Sequence, residues 1–477
     1  MALTKQQQTV IDTLQKPDVS IVTSPAVAGS GKTHTLIELA KQMNVKKGLY
    51  LAYNNAIATE ASTKFKGTNV TCSTIHALAW RATVKQYGLS VGYFKASSIK
   101  EKVSSTIKRR IVDSIEEFCL SNYTDPNKYL DTTELDSLSK DLVLEYLDKM
   151  ANNEVQCTHS FYLKLYHIYL VTGEIAPPEV DLLMMDEAGD ITALTVEIFK
   201  LINAPKKIAV GDLYQNIYSF NNTINGFKAL EDVAVNVPLT NSFRVSSNIA
   251  HKIENFIALH LDPDFEFIGN VYDSYTINSS AYIARNNSGL LEKMFVLMNS
   301  NSCFHTGRSI DSILELPLIL ANLGNGKKIT TPGYWHIEKL RSAWTKNKNL
   351  QTLYPTVGKY VRESLDEPEI VSAYRVVTKH GPKELNTLAK YARAAAKKPC
   401  DLMLTTAHSS KGLEFDEVMI APDLNEAVTK ALANIRKYTE DGVKNEKLLN
   451  KYEEELRLYY TAVSRTKYEL HNAIYLD

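Results

Sequence analysis

The chain has 477 residues, and its 54 Lys and Arg residues balance 54 Asp and Glu residues, so its formal net charge is zero. Hydrophobic residues make up 44% and charged residues 23%, as in folded globular proteins, and the length predicts two or more domains. The balanced charge argues against a protein that binds nucleic acid over its whole surface, so any such site must be local. No apolar run reaches the roughly 18 residues of a transmembrane helix. Five scattered cysteines without a C-x-x-C pair indicate reduced thiols and argue against a structural zinc site.

The first predicted elements are a strand at residues 19–22, a glycine-rich turn and a helix at residues 33–43. The turn reads AVAGSGKT over residues 26–33, with Ala26 where the usual phosphate-loop pattern has glycine. Backbone amides of such a turn bind phosphate oxygens at the positive end of the following helix. In this pattern Lys32 reaches the outer phosphates and the Thr33 hydroxyl ligates Mg²⁺. Taken alone, the turn is also compatible with an ordinary strand-to-helix connection.

The remaining strand signals divide the chain into two α/β cores. Strands alternating with helices favour parallel sheets with crossover connections. Residues 87–178 and 303–399 instead read mainly as helical insertions, which leaves residues 1–86 with 179–240 as the first core and residues 241–302 with 400–477 as the second. Further strands are predicted at residues 49–53, 70–72, 180–185, 207–210, 281–284, 402–405 and 417–421, and long helical stretches at residues 98–120, 135–150 and 424–460.

Two adjacent acids, Asp186 and Glu187, follow the apolar strand predicted at residues 180–185. Nucleotide hydrolases place a Mg²⁺ ligand and a base that orients water at such a position. We therefore assign Asp186 to Mg²⁺, through water, and Glu187 to the attacking water. An acidic pair at a strand end is by itself more often a surface feature, but the phosphate loop upstream favours the catalytic interpretation.

The next strand leads to Gln215, whose amide both donates and accepts hydrogen bonds and would sense the γ-phosphate. Tyr218 and Phe220 follow it as candidates for stacking on nucleic-acid bases, with core packing as the alternative. In the second half, Arg244 and Arg465 lie at predicted strand–helix junctions. They are candidates for arginine fingers on a phosphate held by the first half, so that ATP closes a cleft and hydrolysis opens it.

In the order of its motifs the chain resembles the superfamily 1 helicases of the UvrD/Rep/PcrA type. The likeness covers nearly the whole chain, and within the family it is closest to the helicase core of F-box DNA helicases, through residues 53–58, 158–166 and 370–391. The Q-motif would begin at residue 3, so no F-box-like extension is expected before it. The matching segments are LTKQQ (3–7), AGSGKT (28–33), AYNNA (52–56), TIHA (74–77), DEAGD (186–190), VGDLYQNIYSF (210–220), NSFR (241–244), TTAHSSKGLEF (405–415) and ELRLYYTAVSRT (455–466).

The resemblance implies two RecA-like P-loop NTPase domains, ATP and Mg²⁺ as cofactors, and a set of site residues. Gln7 would read the adenine edge, Phe243 would stack on the base in place of the usual tyrosine, and Glu414 would contact the ribose. The implied nucleotide-binding residues are Gln7, Ala28, Gly29, Ser30, Gly31, Lys32, Thr33, Phe243 and Glu414; the metal ligands are Thr33 and Asp186; the catalytic residues are Lys32, Asp186, Glu187, Gln215, Arg244 and Arg465; and the DNA-binding residues are Tyr53, Asn54, His76, Tyr218, Phe220 and His408.

By resemblance the chain is expected to act as a monomeric, cytoplasmic, ATP-dependent DNA helicase and translocase. It would move 3′ to 5′ on single-stranded DNA and engage single/double-strand junctions, without a membrane partner, in a compact form that would suit a phage. Two departures from the family, Gly189 in place of glutamine and Asn221 in place of arginine, are expected to weaken the coupling between hydrolysis and DNA movement. They leave open a translocase that mainly displaces proteins from DNA, or a DNA-binding ATP switch with weak catalysis.

Overall fold

A computed structural model describes residues 3–217, 223–324, 368–440 and 445–476. The chain divides into two compact units, Met1–Phe243 and Arg244–Asp477. Both units are α/β, with parallel sheets flanked by helices, so the predicted fold class is confirmed. Among the described residues, no helix has the length and apolarity needed to cross a bilayer.

The first unit is built on a six-stranded sheet whose paired strands all run parallel. From one edge to the other its strands are β3 (Val70–Thr74), β2 (Gly48–Ala52), β4 (Leu182–Met185), β6 (Lys206–Gly211), β1 (Ile21–Pro25) and β8 (Val235–Asn236). All five residues of β2 and all four of β4 are buried, as expected for strands covered by helices on both faces. Outside this sheet, the unit also has the short strands β5 (Ile191–Thr192) and β7 (Thr223–Ile224), which pair with each other, and β9 (Asn241–Ser246), which continues into the second unit.

The helices of the first unit mostly begin at side-chain caps. Thr4, Asn54, Thr74, Ser104 and Thr158 each accept a backbone N–H of the helix that follows them. The helices are α1 (Lys5–Gln15), α2 (Lys32–Gln42), α3 (Asn55–Lys64), α4 (Ile75–Ala82), α5 (Val84–Tyr87), α6 (Ser105–Leu120), α7 (Pro126–Leu130), α8 (Ser137–Ala151), α9 (His159–Thr172) and α10 (Ala193–Leu201).

The segment between β3 and β4 is helical, from α4 to α9. The helix predicted from residue 98 begins only at Ser105, because the Ser104 hydroxyl caps its first turn. At the core of this segment, Lys164 is 1% exposed and donates to the carbonyl oxygens of Ser121 and Tyr123, both at 2.7 Å. The buried ammonium therefore fastens the chain after α6 to α9.

The second unit contains a five-stranded sheet in the order β12-β13-β11-β14-β15, again with parallel pairs. Its helix α14 (Pro368–Ala395) bends at Gly381, which has a φ of 76°. The stretch predicted as one charged helix at residues 424–460 contains two helices, α15 and α16. The elements are α11 (Ser247–His260), β10 (Ile268–Asn270), β11 (Ser280–Ala284), α12 (Asn287–Asn299), β12 (His305–Thr306), α13 (Ile310–Gly324), α14 (Pro368–Ala395), β13 (Leu402–Thr406), β14 (Phe415–Ile420), α15 (Pro422–Glu440), α16 (Glu446–Val463) and β15 (Thr466–His471).

Candidate functional site

The glycine-rich turn between β1 and α2 has the geometry of an anion cradle. Gly29 and Gly31 have φ angles of 76° and 78°, a backbone conformation that favours glycine. Gly31 occupies the N-cap position of α2, and glycine has no side chain to accept a hydrogen bond from the first turn. The first backbone amides of α2 therefore have neither an acceptor within the helix nor a side-chain cap. The buried Ser30 hydroxyl has no hydrogen-bond partner among the described residues. The turn thus offers donors at the positive end of a helix and fits a phosphate group.

The two residues predicted to hold the adenine both lie beside Gly31. A Cβ at Gly31 would stand 2.8 Å from Gln7 Nε2 and 3.4 Å from Phe243 Cε2, so the turn depends on glycine at this position. Gln7 is 1% exposed; its Oε1 accepts from Thr4 N at 3.0 Å and its Nε2 donates to the Ser30 carbonyl at 3.3 Å. Phe243 N donates to the Gly29 carbonyl at 2.9 Å, which ties the ring to the turn.

The acidic pair follows β4 directly, with Asp186 buried and Glu187 half-buried. Asp186 accepts hydrogen bonds from the Tyr50 hydroxyl and, at 2.9 Å, from Glu187 N. Burial, and then the charge of Glu187, raise the pKa of Asp186, while the charge of Lys32 opposes the shift. Glu187 has a φ of 55°, and the other non-glycine residues with positive φ in the described part of the chain are all asparagines. Such backbone strain, of order 1–3 kcal/mol, tends to persist at functional sites.

Three adjacent strands bring these groups to one edge of the sheet. β6 pairs with β1 on one side and with β4 on the other, and all three run parallel. The phosphate turn, the acidic pair and the segment at residues 212–216 therefore leave the sheet at the same edge. Asp186 and Thr33 supply oxygen donors of the kind that Mg²⁺ prefers, so the residues present fit a Mg²⁺-nucleotide.

Gly189 packs directly against the backbone of the segment that carries Gln215. A Cβ at Gly189 would stand 2.4 Å from the Asp212 carbonyl oxygen, and Asn216 Nδ2 donates to the Gly189 carbonyl at 2.9 Å. A Cβ at Gly211 would likewise stand 2.6 Å from Ala188 N. The side-chain link expected of the family's glutamine is thus replaced here by contact between two backbones.

The predicted γ-phosphate sensor is fixed within this segment. Gln215 is 4% exposed, and its Nε2 donates to Asp212 Oδ2 at 2.7 Å. Asp212 Oδ1 accepts from Tyr214 N at 3.0 Å, so one carboxylate shapes the turn and orients the amide. Tyr218, Phe220 and Asn221 lie outside the described residues.

In the second unit, the two candidate arginine fingers contact two adjacent residues, Leu413 and Glu414. Arg244 Nε donates to Glu414 Oε2 at 2.9 Å, and Lys467 Nζ lies 3.2 Å from Glu414 Oε1. Burial opposes the effect, but the charges of Arg244 and Lys467 hold the pKa of Glu414 below its usual range. Arg465 is 2% exposed and donates to the carbonyls of Thr461 at 2.9 Å and Leu413 at 3.4 Å. The segment predicted to touch the ribose therefore orients both arginines.

The candidate DNA-binding residues lie at three places. Tyr53 follows β2 and is 42% exposed, while Asn54 caps α3 by accepting Ile57 N at 2.9 Å. His76, in α4, has Nδ1 within 3.2 Å of the Tyr162 hydroxyl, and burial, followed by the charge of His159, lowers its pKa to about 4. His408 begins the short helical turn after β13 in the second unit.

Sequence reasoning missed Tyr50, whose hydroxyl contacts the proposed Mg²⁺ ligand. Tyr50 lies in the fully buried strand β2, opposite Met184 of β4, and its ring packs 5.3 Å from that of Phe65. A tyrosine within a short apolar strand is the one sequence signal for this contact. A buried phenol hydroxyl needs a hydrogen-bond partner, so such a tyrosine indicates a polar group nearby. Sequence alone did not identify that partner, which is 136 positions away.

Comparisons with known proteins agree with the layout of the two units. Residues 6–221 match the family model described as an AAA domain, and residues 319–475 match the model described as the UvrD-like helicase C-terminal domain. Two curated relatives carry related names. The chain is 25% identical to the F-box DNA helicase protein 1 of Schizosaccharomyces pombe, over 98% of the chain and 57% of that relative. It is also 25% identical to the F-box DNA helicase 1 of Gallus gallus, over 88% of the chain and 44% of that relative. The chain thus spans about half the length of these curated relatives.

Proposed function

Because the chain belongs to the UvrD-like superfamily 1 helicases, we propose that it is an ATP-dependent DNA helicase that translocates 3′ to 5′ on single-stranded DNA. The observation that carries the proposal is the gathering of the phosphate turn, Asp186, Glu187 and Gln215 at the same edge of one sheet. The names of the two F-box DNA helicases favour DNA as the substrate.

In the proposed reaction, residues of the first unit bind the nucleotide and activate water. The amides of the turn and Lys32 would hold the phosphates, and Gln7 and Phe243 would hold the adenine. Mg²⁺, held by Thr33 and through water by Asp186, would neutralise phosphate charge.

The left-handed backbone of Glu187 would aim its carboxylate at the attacking water. A new bond then forms between the water oxygen and the γ-phosphorus, the water proton passes to Glu187, and the bond between the γ-phosphorus and the ADP oxygen breaks. The products are ADP and inorganic phosphate.

The residues of the second unit are proposed as sensors of the γ-phosphate. Arg244 and Arg465 would contact it, and Glu414 would contact the ribose, by resemblance to the family. Their support is that Arg244, Arg465 and Lys467 all meet the segment at Leu413 and Glu414. Tyr53, Asn54, His76, Tyr218, Phe220 and His408 are proposed to contact the DNA strand.

The first experiment is phosphate release by the purified protein with and without single-stranded DNA. We expect strong stimulation by DNA, its loss in Lys32→Ala, and a loss of about 10²-fold or more in Glu187→Gln, because Glu187 is the proposed base. DNA-stimulated turnover retained by Lys32→Ala would contradict the assignment. ATP-dependent DNA binding without turnover in the parent protein would instead favour the ATP switch.

The direction of translocation, and whether the protein unwinds DNA or displaces bound proteins, are tested with separate DNA substrates. Partial duplexes with either a 3′ or a 5′ single-stranded tail test polarity, and we expect unwinding only with the 3′ tail. A parallel assay with a protein block on single-stranded DNA tests the alternative of a translocase that displaces proteins, which the departures at Gly189 and Asn221 leave open. Removal of the block without strand separation would favour that alternative.

A further inference from the structure

Three adjacent strands of the second unit bring two carboxylates and one imidazole together. Ser280 of β11 is paired with Glu417 of β14, and Glu417 is paired with Glu469 of β15, so the three residues form a row across the sheet. His471 is two residues after Glu469 on β15, and side chains at this spacing lie on the same face of a strand. We call Glu417, Glu469 and His471 the β14–β15 triad.

One imidazole nitrogen of the triad faces both carboxylates. His471 Nε2 lies 3.0 Å from Glu417 Oε1 and 3.3 Å from Glu469 Oε2. Each of the three residues offers a ligand atom, and these atoms all lie within 4.8 Å of one another. Two ligands of a tetrahedral Zn²⁺ ion, with bonds of about 2.0–2.2 Å, stand about 3.3–3.6 Å apart. A Zn²⁺ ion therefore needs only small movements of these side chains to bind all three.

The other oxygen of each carboxylate is held by a hydroxyl group. Ser280 Oγ donates to Glu417 Oε2 at 2.6 Å, and the Tyr275 hydroxyl donates to Glu469 Oε1 at 3.2 Å. The oxygens that these hydroxyls leave are the two that lie beside His471. Hydrogen bonds from outside the ligand set orient the ligands of metal sites in this way. The register of the sheet and two hydroxyl groups therefore preorganise the triad.

The two carboxylates repel each other, and a cation between them would remove that repulsion. Glu417 and Glu469 stand directly opposite one another on neighbouring strands, where like charges destabilise a sheet. In the part of the chain that the structure describes, His471 is the only ion-pair partner of either carboxylate. The side chains of Glu417, Glu469 and His471 are 24%, 38% and 45% exposed, so an ion can enter from solvent and keep water as a further ligand.

We propose that the β14–β15 triad binds a divalent transition-metal ion of the Zn²⁺ type. The imidazole favours such an ion over Mg²⁺ and Ca²⁺, which prefer oxygen ligands. The site uses no thiolate, so it does not depend on the scattered cysteines. β15 is the last strand in the sheet order, and the ion would fasten it to β14 just after Arg465 and Lys467. The proposal goes beyond the proposed function and does not depend on ATP or DNA.

Zn²⁺ binding by the whole chain tests the proposal directly. Equilibrium dialysis against Zn²⁺ in excess Mg²⁺, followed by elemental analysis, gives the number of Zn²⁺ ions bound per chain. We expect His471→Ala and Glu469→Gln each to bind one ion fewer than the parent. Ser280→Ala should keep the site but weaken it about 10- to 100-fold, because it removes an outer hydrogen bond to a ligand.

Thermal unfolding gives a second readout that does not depend on counting ions. An ion that binds only the folded state raises the unfolding midpoint as its concentration increases. Zn²⁺ should raise the midpoint of the parent more than that of His471→Ala. His251→Ala is the matched control, because His251 is an exposed histidine that has one carboxylate partner, Glu254 Oε2 at 3.4 Å, and not two. It should respond to Zn²⁺ like the parent.

The outcomes decide between a metal site and a group held by ion pairs alone. Loss of one Zn²⁺ ion in His471→Ala and Glu469→Gln, with His251→Ala unchanged, supports the metal site. Equal Zn²⁺ binding and equal midpoint shifts in the parent and in both triad variants would overturn it. All the substituted side chains are partly exposed, so the variants should fold, and unfolding curves without Zn²⁺ verify this. Neither result bears on the proposed function, because no step of ATP hydrolysis is measured.

Discussion

Restoring the family's glutamine at position 189 should damage the site rather than improve it. Taken alone, the sequence predicts that Gly189 weakens the coupling between hydrolysis and DNA movement, because glycine lacks the side-chain amide of the family's glutamine. The structure instead places the Asp212 carbonyl oxygen where any Cβ at position 189 would go. Both Gly189→Gln and Gly189→Ala must therefore move the backbone of one segment away from the other.

The expected loss of turnover and stability follows from the distance between a Cβ at position 189 and the Asp212 carbonyl oxygen. A Cβ 2.4 Å from the Asp212 oxygen must be relieved to ordinary contact at about 3.4 Å, which is a shift of about 1 Å. Misplacement of catalytic groups by 1 Å can reduce the rate about 10²-fold. Overpacking of a buried site typically costs about 1–3 kcal/mol of stability. We therefore expect folded but less stable variants, with DNA-stimulated turnover reduced by about two orders of magnitude.

The assay pairs phosphate release at saturating ATP and DNA with urea unfolding. Gly88→Ala is the control, because Gly88 has a φ of 67° and no heavy atom within 4 Å of its would-be Cβ, so alanine there costs backbone strain alone. It should lose stability but not turnover. Gly211→Ala should behave like the Gly189 variants, since its Cβ would meet Ala188 N at 2.6 Å.

Two results would refute this reasoning. Parent-like turnover in Gly189→Gln would mean that the two segments separate without consequence for Glu187 or Gln215. Equal losses of turnover in Gly189→Gln and Gly88→Ala would mean that the effect is general destabilisation and not a local displacement.

Three further predictions concern the charges and hydroxyls of the first unit. Tyr50→Phe removes a hydrogen-bond donor to Asp186, so it should raise the Mg²⁺ concentration needed for half-maximal hydrolysis and cost about 1–3 kcal/mol of stability. The control is Tyr146→Phe, which removes a hydrogen bond to Glu101. It should lower stability without changing the Mg²⁺ requirement. Asp186→Asn should abolish hydrolysis yet raise the unfolding midpoint at neutral pH, because burial and Glu187 disfavour the charged carboxylate in the folded state; an unchanged or lower midpoint would contradict this. Burial, and then the charge of Lys164, lower the pKa of His167 to about 4, below its unfolded value of about 6.5, so the unfolded state takes up the proton first as the pH falls. The free energy of unfolding should thus decrease between about pH 6.5 and 4, by at most about 1.4 kcal/mol per pH unit for this histidine, and urea titrations of His167→Phe should show a shallower decrease.

The sequence predicted the fold class because strong local signals marked the strands and turns. The glycine-rich turn and the acids after β4 follow apolar strands, and parallel strands bring such residues to one edge. The predicted ends of the helices and strands agree less well with the structure. The strand predicted at residues 19–22 runs from Ile21 to Pro25, because its pairing with residues 207–211 of β6, and not hydrophobicity, sets its limits.

Contacts between distant parts of the chain could not be predicted in the same way. Tyr50 meets Asp186, and Tyr162 meets His76, across 136 and 86 positions, and no local pattern encodes either pair. Lys467 binds Glu414 for a different reason: β14 and β15 are neighbours, and the salt bridge depends on their register. Sequence motifs thus identified the residues proposed for chemistry but not the residues that position them.

The backbone of Glu187 explains why the positioning residues are concentrated around the acidic pair. A glutamate at a φ of 55° costs free energy, so the surrounding contacts must hold the backbone there. Glu187 N donates to Asp186, Ala188 N donates to the Val210 carbonyl at 2.9 Å, and the carbonyl of Gly189 accepts from Asn216. The last two of these contacts join the two segments and need the close approach that Gly189 and Gly211 permit. Glycine at position 189 is therefore better understood as a condition for the strained glutamate than as the loss of a family side chain.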